Sequence, residues 1–365
     1  MHERGIHLQY GFEAHGQRGA EIENPLFDLL AAMQQHGSIR HAALALGQSY
    51  RHVWGALRHW EAVLGEPLVH WNQGKRSQLT PYAQRLVWAE RQARTRMTPH
   101  IEALRAELLH VLAQAGDPRL QVLDMAASHD LALPLIQSLA ARSLHVALRF
   151  TTSRDALRAL NDGRCGVAGF HVPPLPGGSP VFAAALKPLL QPGTHKLIGS
   201  HRRSQGLMLR KPLPEGLSGV ADLAGSTLRF VNRQAGSGTR LLMDHLLHEA
   251  GIVPGAITGY DTRSEDTHVA VAAAIAAGAA DIGPGVEAAA REFGLGFVPL
   301  IDEDYFLVCM KEQLDTPPVV ALRELLAAQA WSDTLAALPG YAPQRAGEVL
   351  SLTKALPWWR FRSPR

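Results

Sequence analysis

Cysteine is almost absent: Cys165 and Cys309 are the two in 365 residues. They lie far apart in apolar runs, which leaves no disulfide framework and no cysteine-rich zinc motif, so buried free thiols are expected. Long apolar stretches are lacking too. No window approaches the ~18 uncharged residues of a membrane span, and no apolar core of signal-peptide length follows Met1-His2-Glu3-Arg4-Gly5. These absences imply a cytoplasmic protein with no membrane partner. The eighteen histidines fall in no HExxH-like spacing, so no metal and no required cofactor is expected. Acidic residues are scarce between positions 24 and 100, where Asp28, Glu61, Glu66 and Glu90 face a crowd of arginines and lysines. The whole chain carries only +3. A basic N-terminal part on a near-neutral remainder points to a polyanion partner for one domain.

What is present suits an ordinary globular protein of two or three domains, with 46% hydrophobic and 19% charged residues. Ile6–Phe12 alternates like a short strand. Asn24-Pro25 is an N-cap followed by a first-turn proline, and Leu26, Leu29, Leu30 and Met33 form the stripe of a first helix ending at Gly37. Ser38 caps a short second helix through Leu46, Gly47 turns the chain, and Ser49 caps a third from Tyr50 to about Leu64. Two short helices about a glycine have helix-turn-helix spacing. Val53, Leu57, Trp60 and Leu64 make the third helix's buried face, and Trp54 and Trp60 are expected in core or subunit contacts. Arg40, Ser49, Tyr50, Arg51, His52 and Arg58 are left as candidate DNA contacts. Residues 67–80 suggest a hairpin whose tip carries Lys75 and Arg76, suited to phosphate. Thr80-Pro81 opens a long helix to about Ala115, broken by Gly116-Asp117-Pro118.

Beyond that break, strands at Leu120–Met125, Val146–Phe150 and Gly166–Phe170 alternate with helices, the pattern of a parallel sheet. Ligands bind beyond the C-terminal strand ends of such sheets, where Ser128, His129, Thr151, Thr152, Ser153 and His171 fall. Each hydroxyl alone reads as a helix cap; three such loops at one edge read as a binding rim. Lys196–Ser200, Gly206–Leu209, Ile257–Tyr260, Phe297–Leu300 and Tyr305–Met310 also look like strands. Ala321–Leu338 looks like one last amphipathic helix, and Trp358–Arg362 like an exposed aromatic and basic tail.

The organising stretch is Arg233-Gln234-Ala235-Gly236-Ser237-Gly238-Thr239-Arg240, between a strand at Thr227–Val231 and a helix from Leu241. A glycine-rich turn at a helix start leaves backbone N–H groups for an anion, with Arg233 or Arg240 as its countercharge. The same residues serve equally as an ordinary turn with helix-capping hydroxyls. Glu265, Asp266, Thr267 and His268 enter another helix and also face this region, the two acids opposing an anion.

The Arg233, Gly236, Ser237, Gly238, Thr239 spacing resembles the oxyanion-gripping segment of periplasmic phosphate-binding proteins. With Glu265–His268 and Gly278–Gly283, it resembles the periplasmic-binding-protein-like domain of bacterial regulators, a domain also found fused to molybdopterin-biosynthesis proteins. Gly37–Gly47, Leu64–Leu68 and Leu79–Pro81 resemble the DNA-binding domain of LysR-type regulators. Ser49–Trp54 is closer to the molybdate-responsive ModE branch.

The resemblance implies an α/β chain: a winged helix-turn-helix over residues 1–96, a linker or dimerisation helix over 97–116, a two-lobed ligand-sensing domain over 117–340 and a tail over 341–365. It implies a transcription regulator of double-stranded DNA, a homodimer or homotetramer, with a small anionic effector. Molybdate, tungstate or a molybdenum cofactor is the implied ligand, held by Ser128, His129, Thr151, Thr152, Ser153, His171, Arg233, Ser237, Gly238, Thr239, Arg240 and Thr267. No nucleophile–base pair is evident, since Ser128 and His129 are neighbours in sequence only. An enzyme is therefore not expected; the alternative is an oxyanion- or cofactor-binding enzyme or accessory protein of molybdenum metabolism. A transport receptor is disfavoured by the missing signal segment.

Overall fold

The computed structural model describes residues 24–70, 77–116, 121–140, 144–175 and 179–359. The expected strand at Ile6–Phe12, the hairpin tip with Lys75 and Arg76, the Asp117-Pro118 break and the residues after Trp359 lie outside them. The chain divides into two compact units between Met97 and Thr98.

In the first unit, α1 (Pro25–His36) starts where the Asn24 side chain accepts the Leu26 N–H, and ends where Gly37 takes a left-handed conformation, φ 69°. Ser38 caps α2 (Ile39–Ala45) and Ser49 caps α3 (Tyr50–Leu64). Leu30, Ala42, Val53, Leu57 and Leu68 are fully buried in one core. Trp60 and Leu64 pack on its edge. Glu61 ties α3 to the following strand by accepting the Leu68 and Val69 N–H groups at 2.8 and 3.2 Å. Strands β1 (Val69–His70) and β2 (Gln78–Leu79) pair antiparallel. Thr80 then donates to the Pro67 carbonyl and caps α4 (Pro81–Gly116).

The second unit opens with β3 (Gln121–Ser128), α5 (Leu133–Leu139), β4 (Leu144–Thr151), α6 (Ser153–Asn161) and β5 (Val167–Val172). β3 lies between β4 and β5, parallel to both, with Ser128 opposite Thr151 at the strand ends. After α7 (Pro180–Leu186) comes β6 (His195–Leu209), one 15-residue strand where two short ones were expected.

The other lobe holds β7 (Asn232–Arg233), α8 (Gly238–Glu249), β8 (Ser264–Glu265), α9 (His268–Ala276), β9 (Ile282–Val286) and α10 (Glu287–Glu292). β10 (Gly296–Met310) again fuses two expected strands into one. β6 and β10 pair along their length; β10 also pairs with β5 in the first lobe, and β6 with β9 in the second. These two strands therefore join the lobes, and each lobe has its own core.

Several expectations need correction. The strand at Thr227–Val231 shrinks to a single bridge at Phe230, and the paired residues are Asn232 and Arg233, parallel to β8. Ile257–Tyr260 is turn rather than strand: Tyr260 packs against Phe230 with ring centroids 5.2 Å apart and fills the lobe core from a loop. The last long helix is two, α11 (Pro317–Ala327) and α12 (Gln329–Ala336), because Ala328 is extended, with ψ 149°. Residues 341–359 are no tail. β11 (Tyr341–Pro343) and β12 (Val349–Leu350) pair with β6, and α13 (Leu352–Ala355) leads Trp358 and Trp359 onto the first lobe's core. Trp54 is exposed, with the Arg58 guanidinium 5.5 Å above its ring, rather than in the core. Among the described residues, no helix is long and apolar enough to cross a membrane.

Candidate functional site

A cleft of about 270 Å³ lies between the lobes of the second unit. Three helix starts converge on it. Thr152 caps α6 by accepting the Asp155 N–H, Ser237 caps α8 by accepting that of Arg240, and Thr267 caps α9 by accepting that of Ala270. Each cap satisfies one N–H and leaves the earlier ones of that turn without intrahelical partners. Three positive helix ends thus face one volume. Gly236, with φ 85°, makes the turn that brings Ser237 to the start of α8.

The cleft is lined by Ser128, His129, Thr151, Thr152, Ser153, His171, Arg233, Ser237, Gly238, Thr239 and Thr267, eleven of the twelve residues expected there. Phe150, Gln234, Asp266 and His268 join them. Arg240 does not. Its guanidinium stacks on the Tyr260 ring at 4.4 Å and bonds to Asp244 and Asp261, so its charge is already matched. Only its backbone N–H serves the turn.

Arg233 is the cation of the cleft. It is buried, and its side chain donates to two backbone carbonyls, Nε to Glu265 and Nη2 to Asp266. It enters no ion pair among the described residues. Burial, then the charge of Arg203, pulls its pKa down to about 9, so it remains charged at neutral pH. A buried cation bonded only to neutral groups is costly unless an anion completes it.

Histidines supply much of the remaining polar wall. His129 leans on Phe150, ring centroids 4.8 Å apart, and faces His268 at 6.2 Å. The Ser128 hydroxyl lies 3.3 Å from His171 Nδ1. Burial lowers all three imidazoles, His171 to about 4, and neighbouring arginines push His129 and His268 the same way. All three are neutral at pH 7. Among the described residues, His129 Nδ1, His268 Nδ1, His171 Nε2 and the Ser153 hydroxyl are buried without a hydrogen-bond partner. Such atoms ask for a ligand or water.

Below the cleft runs a buried polar network that none of the sequence motifs indicates. Arg203 on β6 faces Glu303 on β10 at 2.6 Å and Asp130 at 2.8 Å, all fully buried. Asp130 also accepts from Tyr341 and lies 3.2 Å from His201, which stacks on Tyr305. Tyr305 donates to the Ser128 carbonyl at 2.7 Å, bringing the network to the cleft floor. Burial alone would raise Asp130, but His201 and Arg203 outweigh it and hold the carboxyl well below its usual range. A signal was available: His201-Arg202-Arg203 and Asp302-Glu303-Asp304 are runs of opposite charge, each lying between two strand-like segments. Among the described residues, no group of acids, histidines and cysteines is placed to hold a metal.

In the first unit, Arg40, Ser49, Tyr50, Arg51, His52 and Arg58 are exposed. Ser49 is also the cap of α3, accepting the His52 N–H at 3.1 Å. Arg58 pairs with Glu61 at 3.3 Å.

Two family models match. Residues 26–84 match the bacterial regulatory helix-turn-helix protein, lysR family, and residues 137–327 match the PBP superfamily domain. The chain is 32% identical over 204 residues to the uncharacterised protein YvgK of Bacillus subtilis, a match spanning 55% of this chain and 64% of that one. It is 31% identical over 112 residues to an uncharacterised protein encoded in the 5′ region of a Clostridium pasteurianum ferredoxin gene, spanning 30% of this chain and 98% of that one. Among solved structures, an OxyR mutant of Corynebacterium glutamicum aligns with TM-score 0.42 at 16% identity, over 86% of this chain and 94% of that one. Full-length BenM aligns with TM-score 0.40 at 15% identity, over 82% and 94%. CbnR, a LysR family transcriptional regulator, aligns with TM-score 0.37 at 17% identity, over 80% and 96%. The chain spans less than two thirds of the Bacillus subtilis relative; it belongs to the PBP superfamily and carries, ahead of that domain, residues that match the helix-turn-helix of the lysR family.

Proposed function

We propose that this chain is a cytoplasmic regulator whose first unit binds double-stranded DNA and whose second senses a small oxyanion, of the molybdate or tungstate class. The observation that carries the ligand reading is Arg233: a buried guanidinium, bonded to two carbonyls and no carboxylate, beside three capped helix starts. Helix N-termini and a guanidinium together favour an anion with several acceptor oxygens. Asp266 lines the same cleft and tempers its positive potential. A molybdenum cofactor would have to present its own anionic group to the same donors.

Ligand would act by population shift, favouring one arrangement of the lobes and thereby the placement of paired DNA-binding units in a dimer or tetramer. The test is titration of the full chain with molybdate, tungstate, sulfate and phosphate by calorimetry, with Arg233→Met in parallel. Saturable binding lost in the variant supports the reading. Binding of none of the four, or equal binding by the variant, overturns it.

A further inference from the structure

His171 and Gly238 meet across the cleft. His171 is the penultimate residue of β5 in the first lobe, and Gly238 starts α8 in the second. A Cβ built on Gly238 would lie 2.1 Å from His171 Nε2. The imidazole therefore rests directly on the backbone of the helix start, and glycine is what permits it. Its other nitrogen is held by Ser128 at 3.3 Å, while Nε2 lies 3.8 Å from Glu303 Oε2.

The charges around this ring set what it tolerates. Glu303 on β10, Asp130 after β3, Arg203 on β6 and Arg233 on β7 all act on it. Buried Asp130 and Glu303 offset the two buried guanidiniums, and the exposed Asp266 lines the same cleft. Neutral His129, neutral His268 and the Tyr305 ring, centroid 6.3 Å away, complete the surroundings. A proton added to His171 in the empty cleft would be an unbalanced buried charge against the positive end of α8. An oxyanion reverses that balance, leaving excess negative charge that a proton on His171 would offset.

We infer that His171 is a proton-linked latch between the lobes, resting neutral on Gly238 in the empty cleft and taking up a proton when an anion enters. The second half rests on the oxyanion reading; the first does not. The burial-lowered pKa of the ring agrees with the empty-cleft state.

The test follows the ring resonance of His171 in the full-length protein by NMR, assigned with His171→Gln. Without anion, the resonance is expected to show no titration between pH 8 and 5.5. Gly238→Ala is expected to displace the ring and bring its titration back toward the ordinary histidine range. With micromolar molybdate, the titration of the wild-type ring moves up, and molybdate affinity rises as pH falls from 8 to 6, by up to tenfold per pH unit for one coupled proton. In His171→Gln, molybdate affinity no longer follows pH. Titration near pH 6.5 in the anion-free wild type, unchanged by Gly238→Ala, overturns the latch. Molybdate binding whose pH dependence persists in His171→Gln overturns the proton coupling while the oxyanion site stands. Failure of molybdate, tungstate, sulfate and phosphate alike to bind overturns the site and the coupling together, and the anion-free titration still decides the latch.

Discussion

Arg203 and Glu303 face each other across the strands that join the lobes, 2.6 Å apart and both fully buried. The antiparallel register of β6 and β10 puts them directly opposite. Glu303→Gln leaves the guanidinium with Asp130 alone. Breaking a buried pair on one side costs roughly 3–5 kcal/mol, so the urea midpoint of the second unit should fall sharply. A variant as stable as wild type would show that Asp130 suffices to neutralise Arg203.

Arg233 predicts the opposite pattern. Its charge is buried with carbonyls as its hydrogen-bond partners and with the Asp266 and Glu303 carboxylates acting on it only at longer range, so Arg233→Met removes a buried cation that no ion pair among the described residues holds. Stability should hold or rise while oxyanion affinity falls by at least tenfold, the loss of one charge-assisted bond of ~1.5–3 kcal/mol. Thermal unfolding and calorimetric titration of the same sample check both halves.

Ser237 and Ser153 separate capping from binding. The Ser237 hydroxyl is engaged by the Arg240 N–H, so Ser237→Ala should cost ~0.5–2 kcal/mol of stability as a lost cap, with affinity little changed. The Ser153 hydroxyl is buried and unpartnered among the described residues. Ser153→Ala should leave stability intact and weaken oxyanion binding severalfold. The reverse assignment would return Ser237 to the ligand.

The histidines of the empty cleft set an acid limit. Their folded pKa values lie below the ordinary 6.5, His171 at about 4. The unfolded chain therefore binds more protons between these values, and stability falls as pH drops from about 6.5 toward 4. Asp130, held below its usual range, extends the loss below pH 4. Chemical denaturation of the anion-free protein at pH 7.5, 6.5, 5.5 and 4.5 should show the decline starting near 6.5. A flat profile down to 4.5 would mean these rings titrate normally.

On the DNA side, Arg51 is exposed in the first turn of α3, the part of a recognition helix that reaches base edges. Arg51→Ala should cost ~1–3 kcal/mol and relax sequence preference. Lys75→Ala should instead weaken all sequences alike and lower the salt slope by about one unit. Gel shifts over a salt series, with specific and scrambled duplexes, distinguish the two.

Local signals decided much of this protein. Asn24, Ser38 and Ser49 each accept a backbone N–H at the helix start their type announces, because a capping hydroxyl or amide acts within three residues of itself. The strand–helix alternation of the first lobe and the loops carrying Ser128, Thr151–Ser153 and Ser237–Thr239 were legible for the same reason: strand ends and helix starts are short-range features. What needed the tertiary structure was every property set by a partner far along the chain. Arg233 and Arg240 look alike in the sequence, yet one lies under the Glu265 and Asp266 carbonyls and the other stacks on Tyr260. Arg203 and Glu303, a hundred residues apart, meet only through the register of two long strands. Trp358 and Trp359 look like a loose tail until the fold packs them, half-buried, against the first lobe's core. Burial and charge pairing are sums over neighbours in space, and the order of residues along the chain does not specify those neighbours until the sheet is assembled.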